Sequence, residues 1–151
     1  MTGRGTGWVV AQFVLMVAVV VAGFVPPDWP AGAHRSLTVV GAMLAIAGCV
    51  FAVWAGRSLG RSLTPFPKPV EEGLVTHGPF TIVRHPIYTG GLGLFLGYAL
   101  FASVPALALT VALGLLWVGK IRVEERLLTA VYDAYPAYQQ RVRRRLIPFI
   151  Y

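Results

Sequence analysis

Charge is scarce in this sequence: 13% of its 151 residues are Asp, Glu, Lys or Arg, about half the ~25% of an ordinary soluble domain. With 56% hydrophobic residues and a mean hydropathy of +0.68, the composition is that of a membrane protein and excludes a typical water-soluble globule. Cysteine is nearly absent too. Cys49 stands alone, so neither a disulfide framework nor a cysteine-rich zinc pattern can form, and its place in an apolar run points to a buried packing thiol. No metal site is visible. A dinucleotide loop is also missing, because Gly3-x-Gly5-x-Gly7 precedes an apolar helix and does not join a strand to a helix. No internal repeat is found.

What is present is a set of long uncharged runs. No charge occurs from Gly5 to Pro27, and the stretch 8–25 reads as a first span of the length a bilayer of ~30 Å requires. Its retention, as opposed to removal as a signal peptide, follows from its length and from Pro26-Pro27-Asp28-Trp29-Pro30, a poor cleavage site. The second span is 36–56. A third run, 86–119, is free of charge over 34 residues and would overshoot the membrane as one helix. It is expected to break near Ala102-Ser103-Val104-Pro105 into spans 86–102 and 104–119, giving an all-α, four-span protein in one domain.

The net charge of +7 and pI near 10.2 point to topology, not to nucleic acid. With four spans, Arg4, the loop 57–85 and the tail 120–151 share one side and carry twelve of the thirteen Lys and Arg residues, leaving Arg35 opposite. The positive-inside rule makes both termini and the loop cytoplasmic in a multi-pass cell-membrane protein. Arg141, Arg143, Arg144 and Arg145 suit contact with anionic lipid.

Information concentrates in the two cytoplasmic segments. The loop passes through Pro65, Pro67 and Pro69, which favour an extended path. Glu71-Glu72-Gly73 and then apolar residues among turn formers follow, so the loop should pack on the headgroup layer or the tail. In the tail, Trp117, Ile121, Glu124, Leu128, Val131 and Tyr135 recur at helical spacing as one stripe, with Arg122, Arg126, Thr129 and Asp133 on a polar face. Glu124 thus falls on the covered stripe and needs a cation. Glu125 falls on a less covered face.

Arg84-His85-Pro86-x-Tyr88-x-Gly90 opens the third span, with Pro86 at a first helical position and His85 about where a cap would be. Singly, these residues fit a basic anchor, a capping histidine and an interfacial tyrosine; together they are a fixed pattern. Likewise Lys120-x-Arg122-x-Glu124-Glu125-x-x-Leu128 alone fits a solvated helix with i,i+4 pairs such as Lys120 with Glu124.

The string Leu74-Val75-Thr76-x-Gly78-Pro79-Phe80-x-x-Val83-Arg84-His85-Pro86-x-Tyr88-x-Gly90, followed about 35 residues later by Glu124-Glu125-x-x-Leu128, resembles the isoprenylcysteine carboxyl methyltransferases and their phospholipid methyltransferase relatives. The likeness covers roughly Pro65 to Pro148. It implies a helical membrane methyltransferase with S-adenosylmethionine held between the loop before the third span and the helix after the fourth. It further implies that Leu74, Val75, Phe80, His85, Pro86, Tyr88 and Gly90 surround the cofactor and that Glu124 meets its ammonium group. Lys120 falls where the carboxyl methyltransferases hold an arginine for substrate, and lysine lacks the bidentate fork of arginine. Phe80 stands in place of a usual tyrosine, and Val131-Tyr132-Asp133 replaces a common Phe-Gly.

Methyl transfer from a sulfonium needs alignment and exclusion of water more than covalent help. An amine or neutral thiol acceptor also needs deprotonation, for which His85 or a cytoplasmic water is the candidate. The acceptor is expected to be lipophilic and to arrive from the bilayer: a prenylated acid, a thiol, a quinol-like alcohol or a phospholipid amine. Gly90, Gly91, Gly93 and Gly97 allow close approach of a helix or of the cofactor. The rival reading is a noncatalytic four-helix scaffold that binds anionic lipid.

Overall fold

The computed structural model describes residues 3–26, 28–66 and 73–147. Pro27, Pro67, Pro69, Glu71, Glu72 and Pro148, invoked above, lie outside the described residues. The described residues are helical and contain no strand. The helices are α1 (Gly3–Ala22), α2 (Ala31–Leu59), α3 (Pro86–Ala102), α4 (Val104–Val131) and α5 (Tyr135–Arg141). Single 3-10 turns occupy Gly60–Ser62 and Gly78–Thr81. The Gly3-x-Gly5-x-Gly7 string lies within α1 and does not precede it. α1, α2 and α4 are long and apolar enough to cross a membrane, and α3 is a shorter apolar helix.

The expected break holds for a specific chemical reason. Ser103, fully buried, donates its hydroxyl to the carbonyl of Ala22 at 2.7 Å and accepts from the Ala106 N–H at 3.3 Å. It caps α4 and ties the α3–α4 turn to the end of α1. Pro105 sits in the first turn of α4, where its missing N–H costs nothing. α2 overruns its apolar core at both ends and stops at Gly60, whose φ of 53° favours glycine.

α2 and α3 meet along glycines. A Cβ on Gly48 would lie 2.5 Å from the Leu94 N, one on Gly90 2.5 Å from the Ala52 N, and one on Gly97 2.4 Å from the Ala45 N. The backbones touch as small-residue helix pairs do in lipid. Gly91 instead faces the Trp117 ring of α4. The protein-facing core gathers Val19, Phe95, Ala99, Leu113 and Trp117. Val14, Val17, Met43, Ile46, Val50 and Leu115 point outward, as the lipid-facing side of a spanning helix requires. Cys49 belongs to that outward side: it is exposed, not a buried packing thiol, because the hydrocarbon that suits it lies outside the protein.

The stripe read through Val131 and Tyr135 is corrected. α4 ends at Val131, which is 58% exposed, while Tyr135 is buried from the separate helix α5. Pro136 stands in the first turn of α5, where its missing N–H costs nothing.

Candidate functional site

The loop 73–85 packs against the tail. Arg84 N–H donates to the Arg144 carbonyl and His85 N–H to the Arg145 carbonyl, both at 2.9 Å. The Thr89 hydroxyl donates to the Leu146 carbonyl. Phe80, Tyr135, Tyr138 and Val142 form a buried cluster with Leu74, Val75 and Leu128 against it. Tyr138 closes the contact by donating its hydroxyl to the Phe80 carbonyl at 2.7 Å. Burial, only partly offset by Arg84 and Arg141, pushes that phenol up to about 12, so it remains a neutral donor.

Between this packed loop, the start of α3 and the emerging part of α4 lies a cavity of about 430 Å³, within the usual size of small-molecule sites, ~300–1,000 Å³. Leu74, Val75, Phe80, His85, Pro86, Tyr88, Lys120 and Glu124 all line it. Gly90 does not. Its open face is filled by α2, so the structure gives it a packing position away from the cavity.

The polar groups are ordered by charge. Tyr88 donates its hydroxyl to Glu124 Oε1 at 2.6 Å. His85 stands between the two carboxylates: Nδ1 is 3.6 Å from Glu124 Oε2 and Nε2 is 3.3 Å from Glu125 Oε1. His85 is the residue before α3, yet its side chain caps nothing. The ring turns instead to the two acids.

Glu125 is the more enclosed acid, which corrects its expected place on a less covered face. Its side chain is 6% exposed against 15% for Glu124. Its Oε1 accepts from Arg84 Nε at 2.7 Å and its Oε2 from Arg145 Nε at 2.9 Å. A second bond from Arg84 runs to the Val142 carbonyl at 2.7 Å. Glu125 is therefore the ionic hub joining loop, α4 and tail, while Glu124 faces the cavity.

Lys120 is fully buried. Its ammonium donates to Gln12 Oε1 of α1 at 2.8 Å and to the Pro65 carbonyl at 2.7 Å, and it lies 3.8 Å from Glu124 Oε1. The lysine expected to meet substrate is thus engaged by protein oxygens.

Three contributors escaped the sequence reading. Gln12 is an amide in an otherwise apolar span, a signal of functional placement in lipid. Arg84, which by itself fits a basic anchor, is 7% exposed and pairs with Glu125. Tyr135 lines the cavity, and its buried hydroxyl has no hydrogen-bond partner among the described residues; burial pushes its phenol well above the ordinary tyrosine range. A buried polar atom of that kind is matched when a ligand supplies the partner.

Comparison with curated proteins finds no match. The sequence model of the family described as phospholipid methyltransferase matches residues 37–135, about two thirds of the chain, and runs from α2 through the cavity-lining loop to the first residue of α5. The chain belongs to the phospholipid methyltransferase family.

Proposed function

We propose that this membrane methyltransferase uses S-adenosylmethionine, bound in the cavity between loop 73–85, α3 and α4, to methylate a lipophilic acceptor at the cytoplasmic face. The observation that carries this reading is Glu124. Its carboxylate faces a cavity walled mainly by apolar side chains, fixed by the Tyr88 hydroxyl. An ammonium group beside it would gain a charge-assisted pair, and Leu74, Val75, Phe80 and Leu128 offer the apolar surface an adenosyl group needs. The orphan Tyr135 hydroxyl fits the same occupant.

When bound, S-adenosylmethionine would supply an electrophilic methyl carbon for in-line attack by an acceptor lone pair, with the demethylated thioether as the leaving group. The chain's own part is to hold and orient. Glu124 and Tyr88 fix one end of the site, and the apolar walls exclude water. His85, placed between Glu124 and Glu125, is the group positioned to take a proton from a neutral acceptor.

The engagement of Lys120 bears on which acceptor is used. Two oxygens and a nearby carboxylate already meet its ammonium, so an acceptor carboxylate would have to displace them. That favours an acceptor without a carboxylate, such as the amine of a phospholipid headgroup, over a prenylcysteine acid.

Calorimetry of the purified protein with S-adenosylmethionine and its demethylated product tests the reading. Micromolar binding of both is expected. Absence of binding to either would leave the chain as a membrane scaffold.

A further inference from the structure

On the other side of Glu125, away from Glu124, lies a second cavity of about 450 Å³, lined by Arg122, Glu125, Arg126, Thr129, Gln139 and Arg145. Its charges do not balance. Glu125 is its single acid and is already met by Arg84 at 2.7 Å and by Arg145 at 2.9 Å. Arg122 and Arg126 are exposed, one turn apart on α4, and neither meets an acidic side chain among the described residues. Like charges at that spacing repel. An anion between them removes the repulsion, and the planar forks of arginine match phosphate oxygens in pairs. Gln139 adds an amide to the wall. The Thr129 hydroxyl is engaged, donating to the Glu125 carbonyl at 2.8 Å.

Depth in the membrane distinguishes the source of that phosphate. The charge-free part of α4 begins at Val104. At about 1.5 Å per residue, Arg122 and Arg126 stand about 27 and 33 Å along the axis. Measured from a near edge set at Val104, they bracket the far edge of a ~30 Å hydrocarbon layer, just inside which acyl chains end and just outside which lipid phosphates lie. Soluble phosphate has no such preferred depth.

We propose that this second cavity binds the phosphate of an anionic phospholipid, at a site separate from the cavity that carries Glu124. The site does not depend on the methyltransferase reading, since none of its cations faces the first cavity.

The test is thermal unfolding of the full-length protein in uncharged detergent, titrated with dioctanoyl phosphatidylglycerol, dioctanoyl phosphatidylcholine or inorganic phosphate. Phosphatidylglycerol should raise the midpoint saturably, while the other two leave it nearly unchanged. The R122Q/R126Q protein should need at least tenfold more phosphatidylglycerol for half the shift. R57Q/R61Q, which removes two exposed arginines outside the cavity, should behave as the parent; should the first double variant fail to fold, R126Q alone is read in its place. An equal shift from inorganic phosphate would overturn the lipid assignment, and equal losses in both double variants would reduce the effect to general surface charge and overturn the site.

Discussion

The Tyr88 hydroxyl lies 2.6 Å from Glu124 Oε1, joining the first turn of α3 to the part of α4 beyond its apolar run. Tyr88 also stacks with His85 at 5.9 Å and meets Trp117 at 5.3 Å between ring centroids. The phenol ring is held by packing, and its hydroxyl aims the carboxylate. Tyr88→Phe keeps the ring and loses the donor. Hydrogen bonds to charged groups contribute ~1.5–3 kcal/mol, and part of that falls on the carboxylate's aim, so affinity for the cofactor product should weaken roughly three- to tenfold by calorimetry. An unchanged affinity would leave the bond without a role in binding.

Glu125→Gln tests the ionic hub. Breaking a buried charge pair costs ~3–5 kcal/mol, and Arg84 and Arg145 would both lose their anion. The midpoint of thermal unfolding should fall by roughly 6–20 °C. A melt unchanged by this substitution would contradict the role of Glu125 in tying loop to tail.

A glycine pair tests the α2–α3 seam. In an open helix position Gly→Ala ordinarily stabilises by ~1 kcal/mol, and Gly7 has nothing within 4 Å of an added Cβ. At Gly97 the same Cβ would come within 2.4 Å of the Ala45 N and the Gly41 carbonyl oxygen. Gly7→Ala should leave the melting midpoint unchanged or higher, and Gly97→Ala should lower it. Matching shifts in the two variants would show that backbone contact does not set the seam.

Orientation is tested by reporter fusions. Those after Gly60 and at the C-terminus should report cytoplasmic, and one after Trp29 external, as the twelve-to-one distribution of Lys and Arg requires. An external report from the segment carrying His85 would invert the proposed topology.

Sequence alone located the helices well because lipid imposes a length: a 34-residue uncharged run cannot be one span, and Ser103 and Pro105 mark where it breaks. The family resemblance named Leu74, Val75, Phe80, His85, Pro86, Tyr88, Lys120 and Glu124, and all of them line one cavity although they are spread along the chain. Sequence failed where a second segment decides the surroundings. Periodicity along α4 shows one covered stripe and so placed Glu125 outside it. The tail returns along the opposite face, with Arg145 on Glu125, and no single-helix pattern can register that. Gly90 failed likewise, since its motif neighbours turn toward the cavity while α2 fills its own face. Cys49 failed because apolar does not mean inward when the solvent is hydrocarbon.

The most direct test of the account is the affinity of Glu124→Gln for S-adenosylmethionine's demethylated product, measured by calorimetry beside Glu125→Gln. Glu124 faces the cavity and Glu125 faces Arg84 and Arg145. Losing a charge-assisted pair costs ~1.5–3 kcal/mol, so Glu124→Gln should bind roughly ten- to hundredfold more weakly with its ligand-free melt little changed, whereas Glu125→Gln should lose stability first and affinity less. Wild-type affinity in Glu124→Gln, or equal losses of affinity in the two variants, would contradict the assignment of Glu124 to the cofactor.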